Sequence, residues 1–181
     1  MKNSTLKSIF SLLLILSINT LSAQIQSINN DEPKKMVEVT MKQFLKAIPA
    51  DMLSIYNISD TSEINKAVIG DPIPVYYLEH DSLKFSNTWR IPLIINDEYR
   101  SLFTILFSNE SYSIVDFGAN VLAEEIQKYI KNTPILGILR VFTIHKDYFI
   151  SKNDKNELYF APIPVFNNQK IPLSEIIKMI K

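Results

Sequence analysis

Hydrophobic residues recur with a helical period in two long segments of the chain. From Lys35 to Ile48 the apolar residues fall on one face of a helix, and Pro49 ends the pattern. From Ala119 to Lys131 the same period returns, with Glu, Gln and Lys on the opposite face. We therefore predict helices over both segments. Shorter apolar patterns with helix start and stop signals predict further helices over 51–56, 63–68 and 174–180.

Between and after these helices the apolar spacing changes to that of strands. Runs rich in β-branched and aromatic residues predict four strands, at 74–78, 88–95, 99–107 and 112–117. Asn96-Asp97 and the polar residues 108–111 separate the last three runs, which predicts an antiparallel meander. Two later runs, 139–150 and 157–166, predict a long hairpin around the polar segment 152–156.

The run 99–107 is apolar on both faces of the predicted strand. Leu102, Thr104 and Leu106 point one way, and Phe103, Ile105 and Phe107 point the other. This pattern predicts a central strand that is covered on both sides. Since no polar linker divides the chain, we predict a single α+β domain over 35–181, after a flexible leader at 24–34. Its sheet is predicted to be mainly antiparallel, with about five to six strands and with helices packed on one face.

Residues 1–23 have the organisation of a secretory signal peptide. Lys2 and Lys7 precede an apolar run of about ten residues, which is shorter than the ~20 residues of a membrane-spanning helix. We predict cleavage after Ala23, with cleavage after Ser22 or an uncleaved N-terminal anchor as the alternatives. The protein is therefore predicted to be exported, either secreted or periplasmic. No later apolar run is long enough to predict a membrane span in the mature chain.

Composition and charge exclude several function classes. The 181 residues contain no cysteine, which excludes disulfides, thiolate nucleophiles, cysteine metal sites and a cysteine lipid anchor. Three glycines, against a usual share of ~7%, leave little material for a phosphate-binding loop. The 19 basic and 19 acidic side chains balance, and the signal peptide carries two of the lysines, so the mature chain has 17 − 19 = −2. This balance argues against a nucleic-acid partner.

Few residues offer catalytic chemistry. One of the two histidines, His80, lies in Glu79-His-Asp-Ser82 at the polar end of a strand, where neighbouring side chains point to opposite faces and do not converge. His145 falls within an apolar strand pattern, which predicts a residue on the sheet surface. The carboxylates are scattered, and the common serine-hydrolase, zinc and calcium motifs do not occur. We predict no catalytic residue, no metal ligand and no cofactor, and keep a hydrolase that uses His80 as an alternative.

Aromatic residues offer a better guide to function. The chain has eight tyrosines, ten phenylalanines and one tryptophan, many of them in the predicted strands. Trp, Tyr and Arg are favoured at binding hot spots. We therefore predict Tyr76, Trp89, Arg90 and Tyr99 as binding residues. The competing interpretation is that these rings belong to the core and to the cover of the sheet.

The order of elements and residues between about 60 and 131 resembles a known family. The residues are Ile69-Gly-Asp-Pro-Ile-Pro-Val-Tyr76, a strand Trp89-Arg-Ile-Pro-Leu-Ile-Ile95, a strand that ends Ile114-Val-Asp-Phe-Gly118, and an amphipathic helix. They resemble the PepSY/FTP-type modules of small exported bacterial proteins and protease propeptides. The resemblance implies a non-catalytic α+β module that binds or restrains another exported protein, and it brings no catalytic residues.

These observations lead to one main functional hypothesis and two alternatives. We predict an exported, non-catalytic module that binds another exported protein. The first alternative is a carrier that holds a small apolar ligand between the sheet and the helices. The second is the hydrolase that uses His80.

Overall fold

A computed structural model of the protein describes residues 28–165 and 169–181. The predicted signal peptide and residues 24–27 of the predicted leader lie outside the described residues. Within them, eight strands form one sheet with three α-helices and three 3₁₀ helices. The strands are β1 (Val68–Ile69), β2 (Ile73–Glu79), β3 (Ser82–Ile95), β4 (Glu98–Ser108), β5 (Ser111–Gly118), β6 (Gly137–Val141), β7 (Lys146–Lys152) and β8 (Leu158–Ile163). The α-helices are α1 (Asp31–Lys46), α2 (Asn120–Ile130) and α3 (Leu173–Met179), and the 3₁₀ helices span Ala50–Tyr56, Glu63–Lys66 and Phe142–Ile144.

The sheet is mixed but mostly antiparallel. Its order is β5-β4-β3-β2-β6-β7-β8, and β1 pairs with the end of β3. All neighbours are antiparallel except β2 and β6, which are parallel. The chain passes from β2 through β3, β4, β5 and α2 before it reaches β6. Two parallel strands need a long crossover connection of this kind, because a short hairpin turn would make them antiparallel. The α+β class is confirmed, whereas the sheet has more strands than the five to six that we predicted.

The predicted meander of β3, β4 and β5 is confirmed. Asn96-Asp97 and Asn109-Glu110 form its two turns, and all four residues have positive φ, between 49° and 61°. Two-residue hairpin turns require this backbone, which Asn and Asp adopt more readily than most residues. The turn between β2 and β3, at His80-Asp81, has the same geometry, with φ of 48° and 62°.

The predicted single strand over 139–150 is wrong. The structure divides this segment into β6 and β7, which pair with each other around the 3₁₀ helix at Phe142–Ile144. His145 ends that helix with φ of 51°, in the left-handed region that glycine or asparagine usually occupies. The break was hidden because the segment contains neither Gly nor Pro. The predicted hairpin around 152–156 is therefore formed by β7 and β8 alone.

The helix boundaries differ slightly from the predictions. Helix α1 begins at Asp31, four residues before the predicted start, and Pro33 is tolerated because it lies in the first turn. The second 3₁₀ helix ends at Lys66, and Val68 enters β1 where we predicted helix. Within the described residues, no helix is long and apolar enough to cross a membrane.

Helices cover both faces of the sheet, so the prediction that they pack on one face is wrong. Phe103 and Ile105 of β4 pack in a cluster with α1, whereas Leu102 of the same strand packs with Ala123 of α2. Successive strand residues point to opposite faces, so α1 and α2 lie on opposite sides. Helix α3 lies on the same side as α1. Its Ile176 packs with Leu139 and Ile150. The residues next to these two along the strands, Ile138 and Phe149, pack on the α2 side instead. We call these sides the α1 face and the α2 face.

Candidate functional site

Two of the four predicted binding residues are core residues of the α1 face. Tyr76 is 2% exposed and packs against Phe85, with ring centroids 5.9 Å apart. Trp89 is 3% exposed, and its indole Nε1–H donates a hydrogen bond to Asn30 Oδ1 over 2.9 Å. For these two rings the structure agrees with the competing interpretation, since a buried ring cannot contribute to an exposed aromatic patch.

The other two predicted residues lie on the α2 face but do not meet. Tyr99 is half-buried beside α2, where its backbone N–H donates to Gln127 Oε1, and burial raises the pKa of its phenol. Arg90 pairs in register with Thr104, five residues along β4 from Tyr99. The four predicted residues are therefore divided between the two faces. Arg90 and Tyr99 line two different cavities, and the cavity beside Arg90 is the larger of the two.

That cavity, which we call the arginine cavity, lies on the α2 face beyond the N-terminal end of α2. Its volume is about 640 Å³, within the range of ordinary ligand pockets. The floor is formed by Arg90 of β3, Arg140 of β6 and Asp147 of β7. The walls are formed by the first turns of α2 and by the 3₁₀ turn between β6 and β7, with Val121, Phe142 and Lys146 at the rim.

Arg90 is the more buried of the two arginines in the arginine cavity. Its side chain is 13% exposed, and Nη1 donates a hydrogen bond to Thr104 Oγ1. The nearest carboxylate, Asp116, lies 3.6 Å from Nη1 and is itself well exposed. Burial lowers the pKa of the Arg90 guanidinium, and the positive charge of Arg140 lowers it further. Arg90 is therefore a largely buried cation whose ion pair, with the exposed Asp116, is long.

Arg140 has a strong partner in Asp147. The Arg140 Nε–H and Nη2–H groups donate to the two Asp147 oxygens over 3.0 and 2.8 Å, which is a bidentate pair. These hydrogen bonds raise the pKa of Arg140, although burial opposes them. Asp147 therefore holds the Arg140 guanidinium in position, and the Arg140 side chain, which is 40% exposed, lines the cavity.

The rim of the arginine cavity is apolar and unusually exposed. Val121 of α2 is 73% exposed and Phe142 of the 3₁₀ turn is 66% exposed. Exposed apolar side chains next to polar groups mark interaction sites on many proteins. The arrangement can hold an anion against the two guanidinium groups while apolar groups of the same ligand contact the rim.

A second group of polar side chains lies at the other end of α2. The hydroxyl of the buried Ser151 lies 3.3 Å from Tyr129 Oη and donates to the Pro134 carbonyl over 2.9 Å. The Lys170 ammonium lies over the ring of Tyr159, 4.4 Å from its centroid. Burial would raise the pKa of Tyr159, but Lys170 and the neighbouring hydroxyls outweigh burial and lower it. Burial raises the pKa of Tyr129 to about 12.

The geometry does not bring catalytic groups together around the histidines. His80 and Asp81 are exposed in the β2–β3 turn, and the Asp81 carboxylate accepts a hydrogen bond from Lys181 Nζ over 2.6 Å. His145 lines the arginine cavity but is exposed at the end of the 3₁₀ turn. In the part of the chain that the structure describes, no group of three or more His, Asp and Glu side chains is placed to hold a metal ion.

Sequence reasoning missed most of the arginine cavity. Arg140 and Asp147 lie within the segment that we predicted as one strand, where they would be seven residues apart along it. The hairpin instead places them directly opposite each other in register. The available signal was the presence of two opposite charges within an otherwise apolar strand pattern. Comparison with protein-family models, with curated proteins and with solved structures finds no match for this chain.

Proposed function

We propose that this protein is an exported, non-catalytic binding module that binds another exported protein at the arginine cavity. The observation that carries the proposal is the pair of arginines on the cavity floor, one with little exposed surface and one held by Asp147. Burial of the Arg90 guanidinium costs free energy that its long ion pair with the exposed Asp116 offsets only in part, so binding explains this group more readily than folding does. The resemblance to PepSY/FTP-type modules supports the same class of function.

The alternatives receive less support from the geometry. A hydrolase that uses His80 would need a converging base and nucleophile, and His80 lies in an exposed turn. A carrier of an apolar ligand would need an apolar space between the sheet and a helix, and the arginine cavity beside α2 has a charged floor. On the α1 face, the rings of Phe44, Phe103 and Phe117 fill the space above β4, with centroids 4.5 to 5.5 Å apart.

Site-specific cross-linking in the native host tests the proposed binding site. A photo-reactive amino acid would replace Phe142 or Val121 at the rim, or Val39 on α1 as the control. Val39 is 83% exposed and belongs to the helix on the other face of the sheet. We expect one defined adduct from the rim positions and none from Val39, with the adduct lost when Arg140→Ala is added. Equal labelling at all three positions, or no adduct at the rim, would reject the site.

Export is tested separately by the intact mass of the protein from culture medium and periplasmic extract. We expect the mass of residues 24–181, because cleavage is proposed after Ala23. A mass that includes residues 1–23, recovered from the membrane fraction, would support the uncleaved anchor and contradict this proposal.

A further inference from the structure

The residues that line the arginine cavity include three cationic side chains and two carboxylates. Asp147 engages Arg140 through both carboxylate oxygens. Arg90 donates to the neutral hydroxyl of Thr104. Its ion pair with Asp116 is long, with Nη1 and Oδ2 3.6 Å apart, and the Asp116 side chain is 61% exposed. Lys146 adds a further exposed cation at the rim, while Glu125 adds a carboxylate. An added negative charge is therefore favourable at the floor of the cavity, where Arg90 and Arg140 both lie.

The donors that remain on the two arginines suit a carboxylate. Among the described residues, the hydrogen bonds of Arg90 and Arg140 use Nη1 of the former and Nε and Nη2 of the latter. An arginine carries five N–H groups in a planar fork, so each keeps donors for a ligand. A carboxylate accepts two parallel N–H bonds from such a fork, and a desolvated guanidinium strengthens them.

The rim shows that the ligand is more than a simple anion. An inorganic ion at Arg90 would leave Val121 and Phe142 exposed, although they stand on the two walls of the same cavity. A volume of about 640 Å³ also exceeds what a single small ion fills. Both features fit a ligand that has an apolar group beside its negative charge.

We propose that the arginine cavity recognises a peptide segment in which a carboxylate side chain lies next to a large apolar side chain. The carboxylate lies against Arg90 and Arg140, and the apolar side chain lies between Val121 and Phe142. This inference rests on the proposed function, because it specifies which part of a partner protein the cavity binds. Charge complementarity selects an acidic segment, and the exposed rim selects an apolar neighbour.

Capped dipeptides test this recognition directly. Acetylated and amidated Phe-Asp, Phe-Asn and Gly-Asp would be titrated into residues 24–181 and followed by calorimetry and by amide chemical shifts. We expect Phe-Asn to bind about tenfold more weakly than Phe-Asp, because a charge-assisted hydrogen bond is lost. Gly-Asp should also bind several-fold more weakly, because it leaves the rim uncovered. Equal binding of the three peptides would overturn the inference, and so would saturation of the cavity by inorganic phosphate that excludes Phe-Asp completely at equal concentration.

Matched variants test which residues of the cavity bind each part of the peptide. Arg140→Lys keeps the charge but loses the planar fork, and we expect about a tenfold loss of Phe-Asp affinity. Phe142→Ala should abolish the difference between Phe-Asp and Gly-Asp, whereas Val39→Ala should leave every affinity unchanged. A loss with Val39→Ala equal to that with Phe142→Ala would contradict the assignment.

The peptide and cross-linking experiments fail in different ways. If the rim positions capture a defined protein but Phe-Asp and Phe-Asn bind equally, the binding module stands and the acidic peptide is rejected. If Phe-Asp binds selectively but no protein is captured at the rim, the recognition chemistry stands and the proposed protein partner is rejected.

Discussion

The two faces of the sheet differ in how completely helices cover them. On the α1 face, helices α1 and α3 cover a nearly continuous layer of aromatic and aliphatic side chains. On the α2 face, one helix covers a smaller cluster around Leu102 and Phe149, and the sheet beyond its N-terminal end carries the arginine cavity. A domain that builds most of its core on one side can leave charged groups partly desolvated on the other.

This division also places many aromatic residues of the strands in the core of the α1 face. Phe85 packs edge-to-face on Trp89 with centroids 4.8 Å apart, and Trp89 packs on Tyr112 at 5.7 Å. Such pairs stabilise the α1 face beyond the area they bury. The chain has no cysteine and therefore no disulfide to stabilise the fold. Packing of the aromatic rings in the core supplies part of that stability instead. The binding groups that we propose are instead charged residues that other strands position.

We expect the largest loss of stability from a substitution at the centre of the α1 face. Phe103→Ala removes a fully buried ring that contacts Phe44 and Phe117, and we expect a loss of about 3–5 kcal/mol in the free energy of unfolding. Denaturant unfolding followed by circular dichroism measures it. A loss below about 1 kcal/mol would show that the α1 face is not the main core.

We expect a smaller loss in the free energy of unfolding from a substitution where β6 packs closely against β2. A Cβ at Gly137 would lie 2.5 Å from Tyr76 Cε2 and 3.0 Å from the Pro74 carbonyl oxygen. Because the Tyr76 ring is buried and cannot move freely, Gly137→Ala should cost about 1–3 kcal/mol. In a Tyr76→Leu background the same substitution should cost less. An equal cost in both backgrounds would mean that the backbone, not the ring, opposes the added methyl group.

Arg90→Met separates stability from binding on the α2 face. Methionine fills the space of the side-chain stem without a desolvated charge, so we expect unfolding free energy to stay within about 1 kcal/mol. Binding of the Phe-Asp dipeptide should be lost in the same variant. If instead the variant unfolds with a loss above about 3 kcal/mol, Arg90 serves the fold and the contrast between the faces is weaker than we infer.

The rim residues should contribute almost nothing to stability. Val121→Ala and Phe142→Ala remove exposed side chains, and each should change the unfolding free energy by less than about 0.5 kcal/mol. Val39→Ala on the opposite helix is the matched control. A clear loss at Phe142 alone would indicate that its ring supports the β6–β7 turn.

The smallest effect is a change in one ionisation at the other end of the α2 face. The pKa of Tyr159 is lowered because Lys170 and neighbouring hydroxyls outweigh burial. Lys170→Met should therefore move the ionisation of Tyr159 to higher pH with little change in stability. Tyrosinate absorbance during alkaline titration measures it, and Tyr159→Phe identifies the band. An unchanged titration would show that Lys170 does not act on this phenol.

Local patterns predicted the parts of the fold that depend on neighbouring residues. The β3–β4–β5 meander followed from alternating apolar residues and from turns whose Asn and Asp residues accept positive φ. Apolar residues on both sides of β4 correctly predicted cover on both faces. The break at His145 was missed because a left-handed histidine after an apolar run leaves no Gly or Pro signal.

The amino-acid sequence by itself determined the α+β class, the long helices and the meander, because periodicity and turn chemistry act over a few residues. Only the tertiary structure decided that β6 lies beside β2, that α1 and α2 take opposite faces, and that Arg90 and Arg140 line one cavity. The β2–β6 pairing joins Val75 to Ile138, which are 138 − 75 = 63 residues apart along the chain. No local pattern encodes the register that joins such distant segments.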